Sequence, residues 1–463
     1  MRTIGIDLAV KASHKAIVMN AEGKFVTPVL SFHARWDEIK QVVARAREGV
    51  EPDHPLQAMM EPTGMAWFTV AVPLSRMGVS PIFLVNGRKV HDLRRFYKRH
   101  SSSDRISARV LARITVVDPE SLYPLEIPTA VQFACQRGCK ELDRLEERIT
   151  AIKNRLRDTD RFAWPGLESV FKDIFSPAAR LFRETWYDPA AVLAAGVDQV
   201  RQSFLAIADQ EDDLAWVEGL VQLAIEVLML YGPDALDYSL LQQQVCRDQR
   251  WLTALEAEAD AVWRETVRPL YHQLHPSRNL ETLYGVGERG AAVFASFIGR
   301  AARFPSNRKF RGWHGLIPDS RQSGEAESKG LHVSQAGPDP IKKFGYLGGD
   351  VARRYDPQIA VIYHDQMMNK GAHHNQAVCA CATHLLDRVR VILLEDRPYE
   401  LRDVDGTPVT PEEARAIIAE RYTVPDEVRR RNNRRTRKER AEQRAEREWQ
   451  RQQRRKKGSR PRS

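Results

Sequence analysis

The chain has 463 residues, enough for two to four domains, and an apolar fraction of 43%, which allows sizeable buried cores. No run of 18 apolar residues occurs, which argues against a membrane span, and five scattered cysteines (Cys135, Cys139, Cys246, Cys379, Cys381) do not form a disulfide pattern and fit a reducing cytoplasm. The net charge of +10 is uneven: residues 428–463 hold 17 Lys/Arg against 4 Asp/Glu, a net +13, so the remainder carries −3. Such a tail reads as a nucleic-acid contact of salt-dependent affinity, as a disordered solubilising segment, or as both.

Residues 1–120 read as an α/β unit. Thr3–Val10 is an apolar strand carrying Asp7 near its end, with no signal-peptide pattern before it. Two further strands, His14–Met19 and Lys24–Leu30, flank the hairpin-like turn Asn20–Gly23. Helical spacing covers Trp36–Arg47, and Leu56–Glu61 is a strand ending in an acid. A helix over Ala66–Met77, a strand over Pro81–Val85, a basic stretch over Arg88–His100 and a helix over Arg105–Ile114 follow. Strand, hairpin, strand, then alternating helices and strands is the order of an RNase H-like or RuvC-like domain. In that order Asp7, Glu61 and Asp104 are placed to converge, and clustered carboxylates need a divalent cation such as Mg²⁺. For any one acid a solvated strand end is the blander reading, and Asp104 also suits a helix N-cap.

Residues 121–278 are helical in pattern, and Leu142, Leu145, Ile149, Ile152 and Leu156 repeat at coiled-coil spacing. This region is expected to be a coiled-coil spacer or dimerisation arm, with Trp164, Trp186, Trp216, Trp251 and Trp263 in its core. From 279 to 400 the pattern is that of a small, mainly α domain. It opens with Gly285-Val-Gly287, a helix-hairpin-helix-like turn whose backbone N–H groups can approach a phosphate. The polar loop Leu316–Gly330 follows, with Ser320, Ser323-Gly324, Ser328 and Lys329, and such a loop suits a nucleophile or a phosphate contact. Lys342 and Lys343 are further candidate phosphate contacts. Cys379 and Cys381 lie two apart in a helical pattern, on different faces, so they do not chelate zinc jointly. Residues 401–463 read as a linker and a disordered basic tail.

The ordered set Gly5-Ile-Asp7, Met60-Glu61-Pro-Thr-Gly64, Ser103-Asp104-Arg-Ile-Ser107-Ala108, Gly285-Val-Gly287, Phe304-Pro-Ser-Asn-Arg-Lys-Phe310, Gly315-Leu-Ile-Pro318 and Ser323-Gly324 resembles the IS-one-ten-type transposases. These form the DEDD, Piv/MooV-like family, whose members are guided by a bridge RNA. The resemblance covers about residues 1–120 and 280–395. It implies a RuvC-like domain, a coiled-coil arm and a small transposase domain with a serine loop. It further implies that Asp7, Glu61 and Asp104 bind Mg²⁺ and that Ser323 attacks a DNA phosphate to give a phosphoserine link. DNA, a guide RNA and a homo-oligomer (dimer or tetramer) with a composite site are the implied partners, at a cytoplasmic, nucleoid-associated location without membrane. The chain departs from the pattern at Ser107, where the fourth acid is expected, and at Gln335, where a basic residue is expected. Asp118 is a poor substitute for the first, and Lys342 is a candidate for the second. The alternatives to a transposase are a RuvC-like metal-dependent junction nuclease that uses water and a non-catalytic nucleic-acid-binding protein.

Overall fold

A computed structural model describes residues 1–97, 104–205, 214–317, 322–323, 326–327, 334, 336–436, 438 and 442, with the side chains of residues 88, 104, 121, 322, 323, 326 and 327 outside that description. The chain divides into two compact units, residues 1–133 with 275–463, and residues 134–274.

In the first unit the apolar runs become a five-stranded mixed sheet. Its strands are β1 (Arg2–Asp7), β2 (His14–Met19), β3 (Leu30–Phe32), β4 (Leu56–Met60) and β5 (Ile82–Leu84). Their order is β3-β2-β1-β4-β5, with β1–β2 and β2–β3 antiparallel and β1–β4 and β4–β5 parallel. The helices are α1 (Trp36–Arg47), α2 (Ala66–Arg76), α3 (Gly87–Tyr97) and α4 (Asp104–Val117). Because side chains alternate along a strand, the sheet buries two different sets. Ile4, Ile6, Ala16, Val18, Ala58 and Met60 pack on one side with Ile39, Val42 and Val43 of α1 and Val70 and Leu74 of α2. Met59, Phe83 and Val85 pack on the other with Val90 of α3 and Val110, Leu111 and Ile114 of α4. The third strand is shorter than its sequence suggests and lies later, at Leu30–Phe32. Pro28 cannot donate to a ladder, and ahead of it Phe25 makes an isolated bridge to Met19.

The second unit contains most of α5 (Ala130–Ala163), then α6 (Leu167–Val170), α7 (Pro177–Thr185), α8 (Pro189–Phe204), α9 (Trp216–Tyr231), α10 (Tyr238–Ala261), a π-helical turn Val262–Val267, and α11 (Arg268–Leu274). Read as a spacer, this region instead carries a core of its own, with Trp164, Phe182, Tyr187 and Phe204 fully buried. Inside it Arg183 donates to Asp160 at 2.5 Å and Tyr187 donates to the same carboxylate at 3.0 Å. Lys153 of α5 pairs with Glu256 of α10 at 2.8 Å, and Arg155 pairs with Asp248. Trp251, expected in the core, is 52% exposed.

The first unit resumes with α12 (Glu288–Ile298), α13 (Asn307–His314), the two-residue strands β6 (Gln322–Ser323) and β7 (Ala326–Glu327), α14 (Asp339–Ala352), α15 (Pro357–His364), a π-helical turn Asp365–Asn369, α16 (His374–Glu395) and α17 (Pro411–Arg421). The start of the basic tail is not disordered. Residues 426–436 are helical, and Asn432, 2% exposed, donates to the carbonyl of Met367 at 2.8 Å while Asn433 accepts from the His374 N–H at 3.1 Å. No apolar stripe announces this anchor in the sequence, because polar side chains on backbone groups hold the segment. One of those groups, the Met367 carbonyl, belongs to the π-turn, whose altered hydrogen-bond pattern differs from that of an α-helix.

Candidate active site

Strand register builds the acidic part of the site. Ile6 of β1 pairs with Met60 of β4 in parallel, so Asp7 and Glu61 come next to each other at the same end of two neighbouring strands, which lie about 4.8 Å apart. Thr3, Gly5 and Asp7 share a sheet side with Gln57, Met59 and Glu61, and the Gln57 amide donates to the Thr3 hydroxyl at 2.8 Å on that side. Helix α4 crosses the same side and runs against β1. Thr115 lies 3.5 Å from Thr3, hydroxyl to hydroxyl, and Gly5 sits under Ala108 and Ala112. Two residues further along β1 is about 6.6 Å, or some four helical residues back. That step brings Asp7 to the first turn of α4, which begins at Asp104 and carries Ser107, 3% exposed.

Glycines make the close approach feasible. A Cβ on Gly5 would stand 2.5 Å from the Ala112 nitrogen and collide with the Ala108 carbonyl. A Cβ on Gly87, the first residue of α3, would collide with a carboxylate oxygen of Glu61 and lie 3.2 Å from its carboxyl carbon. Gly87 therefore forms a cradle for Glu61, a role whose one trace in the sequence is a glycine opening a helix after a strand. Among the described residues no group of three His, Cys, Asp or Glu side chains is close enough to hold a metal, and the Asp104 side chain is not among those residues. Asp7 and Glu61 supply hard carboxylate oxygens of the kind that Mg²⁺ prefers, and the cradle leaves Glu61 room beside α3.

The serine loop is held at its two ends. Helix α13 stops at Gly315, whose φ of +68° is left-handed. The Leu316 N–H donates to His314 Nδ1 at 3.1 Å, and the Thr383 hydroxyl of α16 donates to the Leu316 carbonyl at 2.7 Å. On the return, the Ser334 N–H donates to the Ile317 carbonyl at 2.9 Å. Gly337, at φ +75°, packs so tightly that a Cβ would meet the Trp313 and His314 carbonyls at 2.5 and 2.6 Å. Between these ends Gln322 pairs with Glu327 and Ser323 with Ala326 in a short antiparallel ladder. The side chain of Ser323, and Ser320, Ser328, Lys329 and Gln335 as a whole, lie outside the described residues. His314 at the base of the loop is fully buried, its Nε2 has no hydrogen-bond partner among the described residues, and burial together with Arg311 pushes its pKa down to about 3.

The remaining candidates are separated from one another by role. Gly285, at φ +88°, packs backbone to backbone on Gly348 of α14, whereas Gly287 caps α12 with open space where a Cβ would stand. Lys342 is paired with Asp339 at 2.8 Å, and the Lys343 ammonium lies 5.9 Å from the Phe344 ring centre.

Comparison with known proteins adds three findings. Residues 4–165 match a family model of DEDD type for IS110 elements, described as "Transposase". Residues 277–364 match a second, described as "Transposase IS116/IS110/IS902 family". A 43.6 kDa protein of insertion element IS110 from Streptomyces coelicolor, itself described as uncharacterized, is 25% identical over 323 residues, covering 68% of this chain and 75% of its own length.

Proposed function

The chain belongs to the IS110-type transposase family, and from that premise we propose that it cuts and rejoins DNA to move a mobile element, through an acidic site on an RNase H/RuvC-like domain and a serine nucleophile. Membership gives a transposase role and, with it, DNA as a partner. One observation carries the finer reading: Asp7 and Glu61 end neighbouring parallel strands on the sheet side that α4 covers, and α4 begins at Asp104. The strand order β3-β2-β1-β4-β5 supports the RNase H-like assignment.

Asp7, Glu61 and Asp104 would hold Mg²⁺, with Ser107 beside them in place of a fourth carboxylate. When bound, the cation offsets the charge of the phosphate under attack. Ser323 supplies the nucleophile. Its Oγ forms a bond to phosphorus as the bond from phosphorus to one DNA oxygen breaks, and the serine proton leaves while the departing oxygen gains one. One phosphodiester replaces another, so reversal reseals the strand without an outside energy source. A structured guide RNA chooses the DNA by base pairing, and a homo-oligomer brings acids and serine together.

The acidic half is tested by Asp7→Asn and Glu61→Gln in purified full-length protein. Each is expected to abolish DNA cleavage and to remove the Mg²⁺-dependent rise in melting temperature. Wild-type cleavage by Asp7→Asn would refute the assignment.

A further inference from the structure

We propose that the outer row of α4, with Lys15 of β2, is a cationic track that takes the phosphate backbone of the DNA strand served by the acidic site. This rests on the acidic site proposed above. Helix α4 buries Ala108, Leu111, Ala112 and Ile114 against the sheet and turns Arg105, Arg109 and Arg113 outward at four-residue spacing, one above the next. Arg105 and Arg109 are exposed and Arg113 is half-buried. Like charges in this spacing repel, and a merely solvated helix face interleaves acids with its bases. Beyond Asp104, α4 has no acidic residue, and the three arginines make no ion pair among the described residues.

Aromatic rings hold two of them instead. The guanidinium carbons of Arg109 and Arg113 lie 5.6 and 5.1 Å from the centre of the Phe25 ring, and that of Arg113 lies 4.7 Å from the centre of Tyr97. Stacking uses the flat face of a guanidinium and leaves its N–H rim for a phosphate.

The row starts one residue after Asp104 and adjoins a further cation. Lys15 is the direct register partner of Asp7 across β1 and β2, on the same sheet side. Its ammonium turns toward β3, donating to the Ser13 and Ser31 hydroxyls at 2.9 Å each. Those partners are neutral, so they leave its charge in place. A cluster of carboxylates repels a polyanion, and cations beside it are what draw a nucleic-acid strand to it. From Arg105 to Arg113 the helix rises about 12 Å, so successive guanidiniums can meet different phosphates of one strand.

The test is salt-titrated binding of full-length protein to labelled single-stranded DNA, and to RNA of the same sequence, for wild type and the triple variant Arg105→Gln/Arg109→Gln/Arg113→Gln. Each phosphate of a single strand that is no longer neutralised flattens the slope of log K against log salt by about 0.7. The triple variant is therefore expected to be shallower on DNA by about two, and the corresponding triple Arg→Lys variant to restore most of that. An unchanged DNA slope, or a loss confined to RNA, overturns the track. Should the triple variant fail to fold, Arg105→Gln at its exposed position reads the same effect at about 0.7. Asp7→Asn is assayed for DNA cleavage alongside. If that variant still cleaves DNA, the acidic-site reading fails, while the track stands or falls on its slope.

Discussion

At the acidic end of the sheet, Asp7 and Glu61 are placed by continuous backbone hydrogen bonding along β1 and β4. The segment carrying Ser323, in contrast, is fastened where it leaves and rejoins the helical part, by Ser334 on Ile317 and by Gly337 against His314. The first arrangement presents its groups from a rigid frame before any ligand arrives. The second is tied at the two ends of the loop, with the short ladder of β6 and β7 between them. Under the proposed mechanism the sheet end would hold a metal and the loop would deliver a nucleophile, two tasks that call for different supports.

The contrast can be broken at its frame. Gly5→Ala places a Cβ against the backbone of α4, which cannot give way as a side-chain tip can, so a loss on the order of 3 kcal/mol is expected in denaturant unfolding. Full retention of stability would mean that α4 is not seated on β1 as described.

At the loop base, pH is the sharper probe. Burial keeps His314 neutral in the folded protein down to about 3, whereas the unfolded chain takes up a proton near 6.5. The stability that this histidine confers is complete above 6.5. It drains by about 1.4 kcal/mol per pH unit as pH falls from 6.5 toward 3. His314→Asn retains an acceptor for the Leu316 N–H but cannot titrate, so that part of the pH slope is expected to vanish from its unfolding curves. A variant as pH-sensitive as wild type would place the sensitivity elsewhere.

Gly87→Ala should do the least to stability, under about 1 kcal/mol, since its Cβ meets the movable end of Glu61. It should nevertheless cost on the order of a hundredfold in cleavage rate, the scale of a misplacement near 1 Å. Unchanged cleavage kinetics would show that Glu61 is not required in that cradle.

Much of the sheet was legible because apolar runs and the acids ending two of them are local signals, and Trp36–Arg47 has the bounds its periodicity suggested. Strand β3 was displaced because Pro28 acts on pairing, not on apolar pattern. The middle region looked like a coiled coil because heptad spacing does not report Asp160 and Arg183, which meet across 23 residues inside a globular core. Gly5, Gly87 and Gly285 stood in plain view, yet what a missing Cβ makes room for is a tertiary fact. His314 gave no sign at all, since a lone histidine before a glycine looks the same buried or exposed.

The proposed serine attack on DNA, assisted by a metal-binding acidic site, is the step on which the transposase mechanism turns. Its most direct test is a denaturing gel of the protein expressed with its native flanking DNA, so that any guide RNA is present, then given Mg²⁺ and labelled junction DNA. A covalent protein–DNA band that disappears in Ser323→Ala and in Asp7→Asn is the predicted result. Cleaved DNA with no such band, or a band that survives Ser323→Ala, would contradict the account.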